Sequence, residues 1–211
     1  IEIGNNAFSS TAIKSIVLPD SLKTIGASAF GGCYSLESVT LGKQTTSIKQ
    51  FAFNECKALK TINFPSTLKS IGSQAFGACA SLEKVTLPSS LIEIGSCSFS
   101  GSGLKEIVIG DNVNKLDYGV FANCKSLTKV TLGKGINRIK DGLFSNCSAL
   151  TDIIFTGEIF YIDKQSFYNC SSLRNIDIPD SIMLIRKDAF IGCTSLSKLD
   201  LPAGVIKYNK Y

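Results

Sequence analysis

The chain has no histidine and no tryptophan, and only one methionine and five prolines among 211 residues. Without histidine there is no Ser-His-Asp triad, no Cys-His pair and no HExxH zinc site. Catalysis would have to rest on carboxylates, lysine or tyrosine. The apolar runs are short and broken by Lys, Ser or Asp, so none spans a bilayer as a helix. Charge is sparse as well, at 18% of residues, and the 22 basic residues behind the net +5 are scattered. No basic stripe interleaved with aromatics is present, which argues against nucleic-acid binding. There is no glycine-rich phosphate loop. No secretory signal is visible either, but the chain opens on "IEIGNNAF", the middle of a repeat. The expectation is a fragment of a longer array.

What is present is repetition. Phe recurs at 8, 30, 53, 76, 99, 121, 144, 167 and 190, with gaps of 22 or 23 residues. Cys follows three residues later at 33, 56, 79, 124, 147, 170 and 193. The two coils without it, those of Phe8 and Phe99, are also one residue short. Leu comes next at 36, 59, 82, 104, 127, 150, 173 and 196. From there each coil reads L-x-x-[IV]-x-[LFI], as in "LESVTL", "LKTINF" and "LSKLDL", usually followed by Pro or Gly. A second apolar pair closes the unit, as in "SLKTIG" and "TLKSIG".

In L-x-x-[IV]-x-L the last two apolar residues are two apart and share one face of a strand, while the residue between them faces the other way. Pro or Gly then ends the strand. The "IGxxAFxxC" segment is too short for an α-helix and reads as a short strand leading into a 3₁₀-like turn that drops Phe inward. One such unit cannot bury its apolar faces, so the units must stack. About nine coils at ~4.8 Å give a rod roughly 40–45 Å long. With no linker in the sequence, residues 1–211 are expected to form one domain. Phe, Cys and Leu then become core columns. The cysteines read as a file of small buried thiols. Disulfides along it would be strained because the Cβ vectors run parallel, and a linear file cannot converge on a metal.

The form "LPxSLxxIGxxAFxxCxSLxxVxLP", seen from Leu18 to Gly42 and again from Phe64 to Pro88, resembles the BspA-like leucine-rich repeats of bacterial and protist surface proteins. The resemblance covers essentially the whole chain. It implies a leucine-rich-repeat solenoid with a parallel β-sheet on the concave face and short strands and turns on the convex side. It also implies a non-enzymatic adhesion or protein-binding role at the cell surface or in a secreted protein. The implied partner is a protein, such as a host extracellular-matrix or cell-surface protein, or a glycan. The family fixes no catalytic residues, cofactor or metal. Three places depart from the pattern: Thr45 and Lys49 in "LGKQTTSIKQFAF", Cys97 with no Cys after Phe99, and Thr156 in place of Pro or Gly.

Curvature makes the strand sheet the candidate binding surface. Its outward column reads Val17, Thr40, Asn63, Thr86, Val108, Thr131, Ile154, Asp177 and Asp200, flanked by a column that holds Lys84, Lys129 and Lys198. Val108 and Ile154 are its apolar exceptions and the first contacts expected. Two other readings stay open at this point. Asp177 and Asp200, expected about 5 Å apart, have the spacing of a retaining glycosidase pair and would suit a carbohydrate-active enzyme on a β-solenoid. A spacer that binds nothing is the second. Tyr34, Tyr161 and Tyr168 are expected on the rim. The "NCS" tripeptides at 146–148 and 169–171 match the glycosylation pattern but follow from the repeat itself. Open solenoid ends also invite end-to-end self-association.

Overall fold

A computed structural model describes residues 1–203 and 205–207. Among them there is no helix; every regular element is a short strand paired in parallel with its equivalent one coil away. Two columns of strands follow the rod, each divided into two hydrogen-bonded sheets. The first is built from the L-x-x-[IV]-x-L segments: β2 (Ser15–Val17), β4 (Ser38–Thr40), β6 (Thr61–Asn63), β9 (Glu106–Ile109), β11 (Lys129–Leu132) and β13 (Asp152–Phe155). The second comes from the closing apolar pairs: β1 (Glu2–Ile3), β3 (Thr24–Ile25), β5 (Ser47–Ile48), β7 (Ser70–Ile71), β8 (Glu93–Ile94), β10 (Lys115–Leu116), β12 (Arg138–Ile139), β14 (Tyr161–Ile162), β15 (Leu184–Ile185) and β16 (Ile206–Lys207). The second column divides between β10 and β12. The register is that of the repeat, with Ser15 opposite Ser38 and Ser38 opposite Thr61.

The segment from the second ladder to the Phe has the i→i−3 bonds of a tight turn, but never a continuous helix. In one coil Ala29, Gly31 and Cys33 donate locally to Gly26, Ser28 and Phe30, while Ser28, Phe30 and Gly32 donate across to Gln50, Ala52 and Asn54 of the next coil. The alternation makes the turn a third ladder. It depends on two left-handed residues per coil, such as Ser28 with Gly32, Gly119 with Asn123 and Gly142 with Asn146. Gly and Asn are frequent there because they tolerate positive φ. Phe51, at φ 59°, is the bulky exception.

The core lies between the ladders. Phe8 through Phe190 form an unbroken stack, each ring 5.1–6.0 Å from the next and within 16° of parallel. Phe30 through Phe167 are fully buried. The departures from consensus are absorbed locally. Thr45 is buried in the Leu22 and Leu68 column and its hydroxyl donates to the Leu22 carbonyl at 3.1 Å. Thr156 holds its position by donating from both its amide and its hydroxyl to Leu132.

One expectation needs correction. The first sheet is not continuous: residues 83–87, 174–178 and 197–201 form no strand, so the ladder divides into two three-stranded sheets. The outward positions Lys84, Thr86, Asp177, Lys198 and Asp200 therefore sit on extended chain outside the hydrogen-bonded sheet. The break after β6 adjoins the shortened coil, where Gly103 approaches the coil before it so closely that a Cβ would run into the Ala80 carbonyl oxygen. The final "YNKY" of the last coil lies outside the described residues.

Candidate functional site

The cysteine file shows what this fold does with reactive groups. All eight cysteines are free thiols, and only Cys97, outside the file, is partly exposed. Each file thiol donates back to the Phe carbonyl of the preceding coil: Cys56 to Phe30, Cys79 to Phe53 and Cys147 to Phe121, at 3.0–3.2 Å. In the two coils without cysteine, Thr11 and Ser102 occupy the file and pair with Cys33 and Cys124. Burial pushes Cys124 up to about 11 and Cys56 to about 12. These are structural groups, neutral and already bonded. Iodoacetamide at pH 8 is therefore expected to label at most Cys97 in the native protein and all eight cysteines after denaturation, as read by intact mass. Labelling of several file cysteines in the native state would contradict this packing.

On the outward face of the first ladder, register brings together Val108, Thr131 and Ile154, and beside them Glu106, Lys129 and Asp152. Val108 is 63% and Ile154 42% exposed. A buried position would explain their chemistry; exposure makes them a patch. Thr40 and Asn63 stand in register with each other on the separate β2–β4–β6 sheet, both exposed, with Val17 at 78% exposure beside them. A cleft of about 600 Å³ runs between segment 83–87, which carries Lys84 and Thr86, and segment 105–110. A second, of about 420 Å³, is lined by Asn175, Asp177, Lys198 and Asp200. There the Lys198 ammonium lies 2.8 Å from the Asp200 carboxylate, both largely exposed. Asp200 is thus half of a solvated ion pair of little energetic weight. No group of three or more metal-binding side chains converges among the described residues.

The comparisons fit this geometry. A family model described as BspA type leucine rich repeat region matches residues 1–128 and 99–211, in six copies. The chain belongs to the BspA-type leucine-rich-repeat family. A Treponema pallidum leucine-rich repeat protein (T. pallidum, TpLRR) of solved structure is 30% identical over 82% of each chain, with a TM-score of 0.75. A leucine rich cell surface protein of Faecalibacterium prausnitzii A2-165 shares 22% identity over 99% of this chain and 83% of its own, with a TM-score of 0.51. A leucine-rich repeat protein of Eubacterium ventriosum shares 18% over 92% and 80%, also at 0.51. These last two likenesses speak to fold alone. No curated protein matches. No helix among the described residues is long and apolar enough to cross a membrane.

This BspA-type chain also carries a charged staple that its repeat pattern does not announce. On the second ladder, where other coils carry Gly26, Gly72 and Gly95, the later coils carry Asp117, Lys140, Asp163 and Arg186. Lys140 pairs with Asp117 at 2.7 Å. Asp163, whose side chain is 5% exposed, takes two bonds from Arg138 at 2.6 and 2.9 Å and one from Arg186 at 3.0 Å. The Arg138 guanidinium also lies over the Tyr161 ring. The signal was available as charges of alternating sign replacing glycine at intervals of 23 residues. It marks a stapled stretch of the rod, since the buried carboxylate has both neighbours to compensate it. The asparagines of the "NCS" tripeptides form a further surface ladder, Asn169 donating to Asn146 and Asn146 to Asn123, at 3.1 Å each.

Proposed function

We propose that the chain is a non-enzymatic binding module of a cell-surface or secreted protein, which presents the outward face of its first ladder to a partner protein. In leucine-rich-repeat horseshoes that sheet lines the concave side and offers an extended surface. The observation that carries the reading is the exposed, in-register patch of Val108, Thr131 and Ile154. Aliphatic side chains held at 63% and 42% exposure on a rigid sheet cost little to order on binding, which favours a preformed contact. Thr40, Asn63, Thr86 and Lys84 on one flank, and Asp177, Asp200 and Lys198 on the other, would form a polar rim around it. Adhesion to a host matrix or cell-surface protein, or to a glycan, is the finer form of this reading and follows from the family. The ion pairing of Asp200 with Lys198 weighs against the acid–base alternative.

The test is binding of the purified chain to a panel of immobilised extracellular-matrix proteins and glycans by surface plasmon resonance. The double variant Val108→Lys/Ile154→Lys is expected to lose at least tenfold in affinity for whichever ligand binds. Ser47→Lys on the second ladder is expected to leave it unchanged. Equal loss in both, or none in either, would refute the assignment of this face.

A further inference from the structure

Three rungs of the first ladder, β9, β11 and β13, carry two rows of outward side chains. Val108, Thr131 and Ile154 stand opposite one another, and so do Glu106, Lys129 and Asp152. Within each strand the two positions are two residues apart, so the rows lie about 7 Å from each other on one face. The next outward positions, Gly110, Gly133 and Thr156, are small and uncharged. The charged row alternates minus, plus, minus, and all three of its members are exposed. Elsewhere on the rod opposite charges on adjacent rungs join, Lys60 to Glu37 at 2.7 Å and Lys105 to Glu83 at 2.6 Å. In this row they do not. Among the described residues neither Glu106 nor Lys129 takes part in an ion pair, and the Asp152 carboxylate accepts a bond from the adjacent Thr151 hydroxyl instead.

We infer that this face takes an amphipathic α-helix of a partner protein, laid along the rod. Its apolar stripe rests on Val108, Thr131 and Ile154, and a Lys-Glu-Lys row on its flank meets Glu106, Lys129 and Asp152. The inference rests on the reading of this face as the binding surface and names the form of the partner. Only an element that runs along the rod touches all three rungs, and spacing then decides which element. Rungs recur about every 4.8 Å. A helix brings the same face round about every 5.4 Å, so across two intervals it drifts by roughly 1 Å. An extended chain returns the same side only about every 6.8 Å and is out by roughly 4 Å over the same distance. Helix residues at i, i+3 and i+7 form the stripe, and those at i+1, i+4 and i+8 form the flank beside it. The alternating row selects its partner by sign, because a flank of one charge would meet like charge on at least one rung.

The probe is a peptide of three repeats of Leu-Lys-Ala-Leu-Glu-Gln-Ala, blocked at both ends, fluorescently labelled and used at nanomolar concentration while the protein is titrated. Fluorescence anisotropy is expected to show it binding at least fivefold tighter than the same peptide with Lys at every Glu position, or with Glu at every Lys position. Proline in the middle repeat, which breaks the helix, should weaken binding at least tenfold, and so should Val108→Lys/Ile154→Lys in the protein. In Lys129→Glu, an exposed change whose fold circular dichroism can verify, the row becomes wholly acidic and the all-Lys peptide should overtake the alternating one. The inference is overturned if the proline peptide binds as well as its parent, if the all-Lys peptide binds the unaltered protein as tightly as the alternating one, or if no peptide binds. In the last case a panel ligand that still depends on Val108 and Ile154 would leave the assignment of the face standing. Peptide binding indifferent to those two substitutions would remove the face itself.

Discussion

Replacing Phe76 by alanine is expected to destabilise the protein by about 3–5 kcal/mol, the usual cost of removing a buried phenylalanine. The position justifies the upper part of that range. Phe76 is fully buried, its ring stacks on Phe53 and Phe99 at 5.3 Å on both sides, and Phe64 meets it edge-on at 5.6 Å. The hole cannot close by local collapse, because both neighbouring rings are fixed by their own backbone bonds to adjacent coils, Phe53 to Ala75 and Phe99 to Val120. Each coil depends mainly on its neighbours, so the damage should be concentrated in the middle of the rod. Thermal unfolding followed by circular dichroism should show a midpoint lower by roughly 10–15 °C, at about 2–4 °C per kcal/mol for a chain of this size. Phe8→Ala is the internal control. Phe8 is 36% exposed and stacks on one side only, so less than half the effect is expected. Equal shifts in the two variants would mean that the stack is not the main support.

The columns were legible because they repeat. Phe76, Cys79 and Leu82 each recur at a fixed interval, and an apolar residue type that returns at one spacing through the chain marks a stacked core position. The outward column was legible by the same logic, since the residue between two inward ones must point away, and Val108 and Ile154 are exposed as that reading requires. What escaped has two causes. The division of the first ladder depends on whether successive coils come within hydrogen-bonding reach. That is a matter of fractions of an ångström, and the one-residue deletion before Leu104 signals it only indirectly. The Asp163 cluster escaped because a charge in place of Gly95 or Gly72 reads, one coil at a time, as an exposed substitution. Only when Arg138, Asp163 and Arg186 are placed on adjacent rungs does the alternation of sign become a contact.

Alkaline pH is expected to unfold the protein at a point where its surface charges alone would not. A cysteine in the open chain ionises near 8.5–9, whereas burial raises Cys56 to about 12 and Cys124 and Cys193 to about 11. Cys79, Cys147 and Cys170 are raised as well, by burial first and then by their neighbours in the file. The sign follows from proton binding. Between pH 9 and 11 the unfolded chain loses thiol protons that the folded chain keeps, so the unfolded state is favoured as pH rises. Below about pH 8 both states are protonated and nothing is lost. Each thiol costs about 1.4 kcal/mol per pH unit within that window. Cys56, Cys124 and Cys193 together therefore remove on the order of 4 kcal/mol by pH 10, against a typical total of about 5–15 for a folded protein. Urea titrations at pH 7, 8, 9 and 10 should show stability flat to about pH 8 and falling steeply by pH 10, with the limiting slope reporting the number of thiols. Cys56→Ala costs some packing at every pH but should reduce that slope by one proton, a change that a purely structural loss would not produce. A slope that is shallow, or identical in the variant, would mean that the thiols ionise as readily in the folded rod as outside it, and the neutral cysteine file would have to be abandoned.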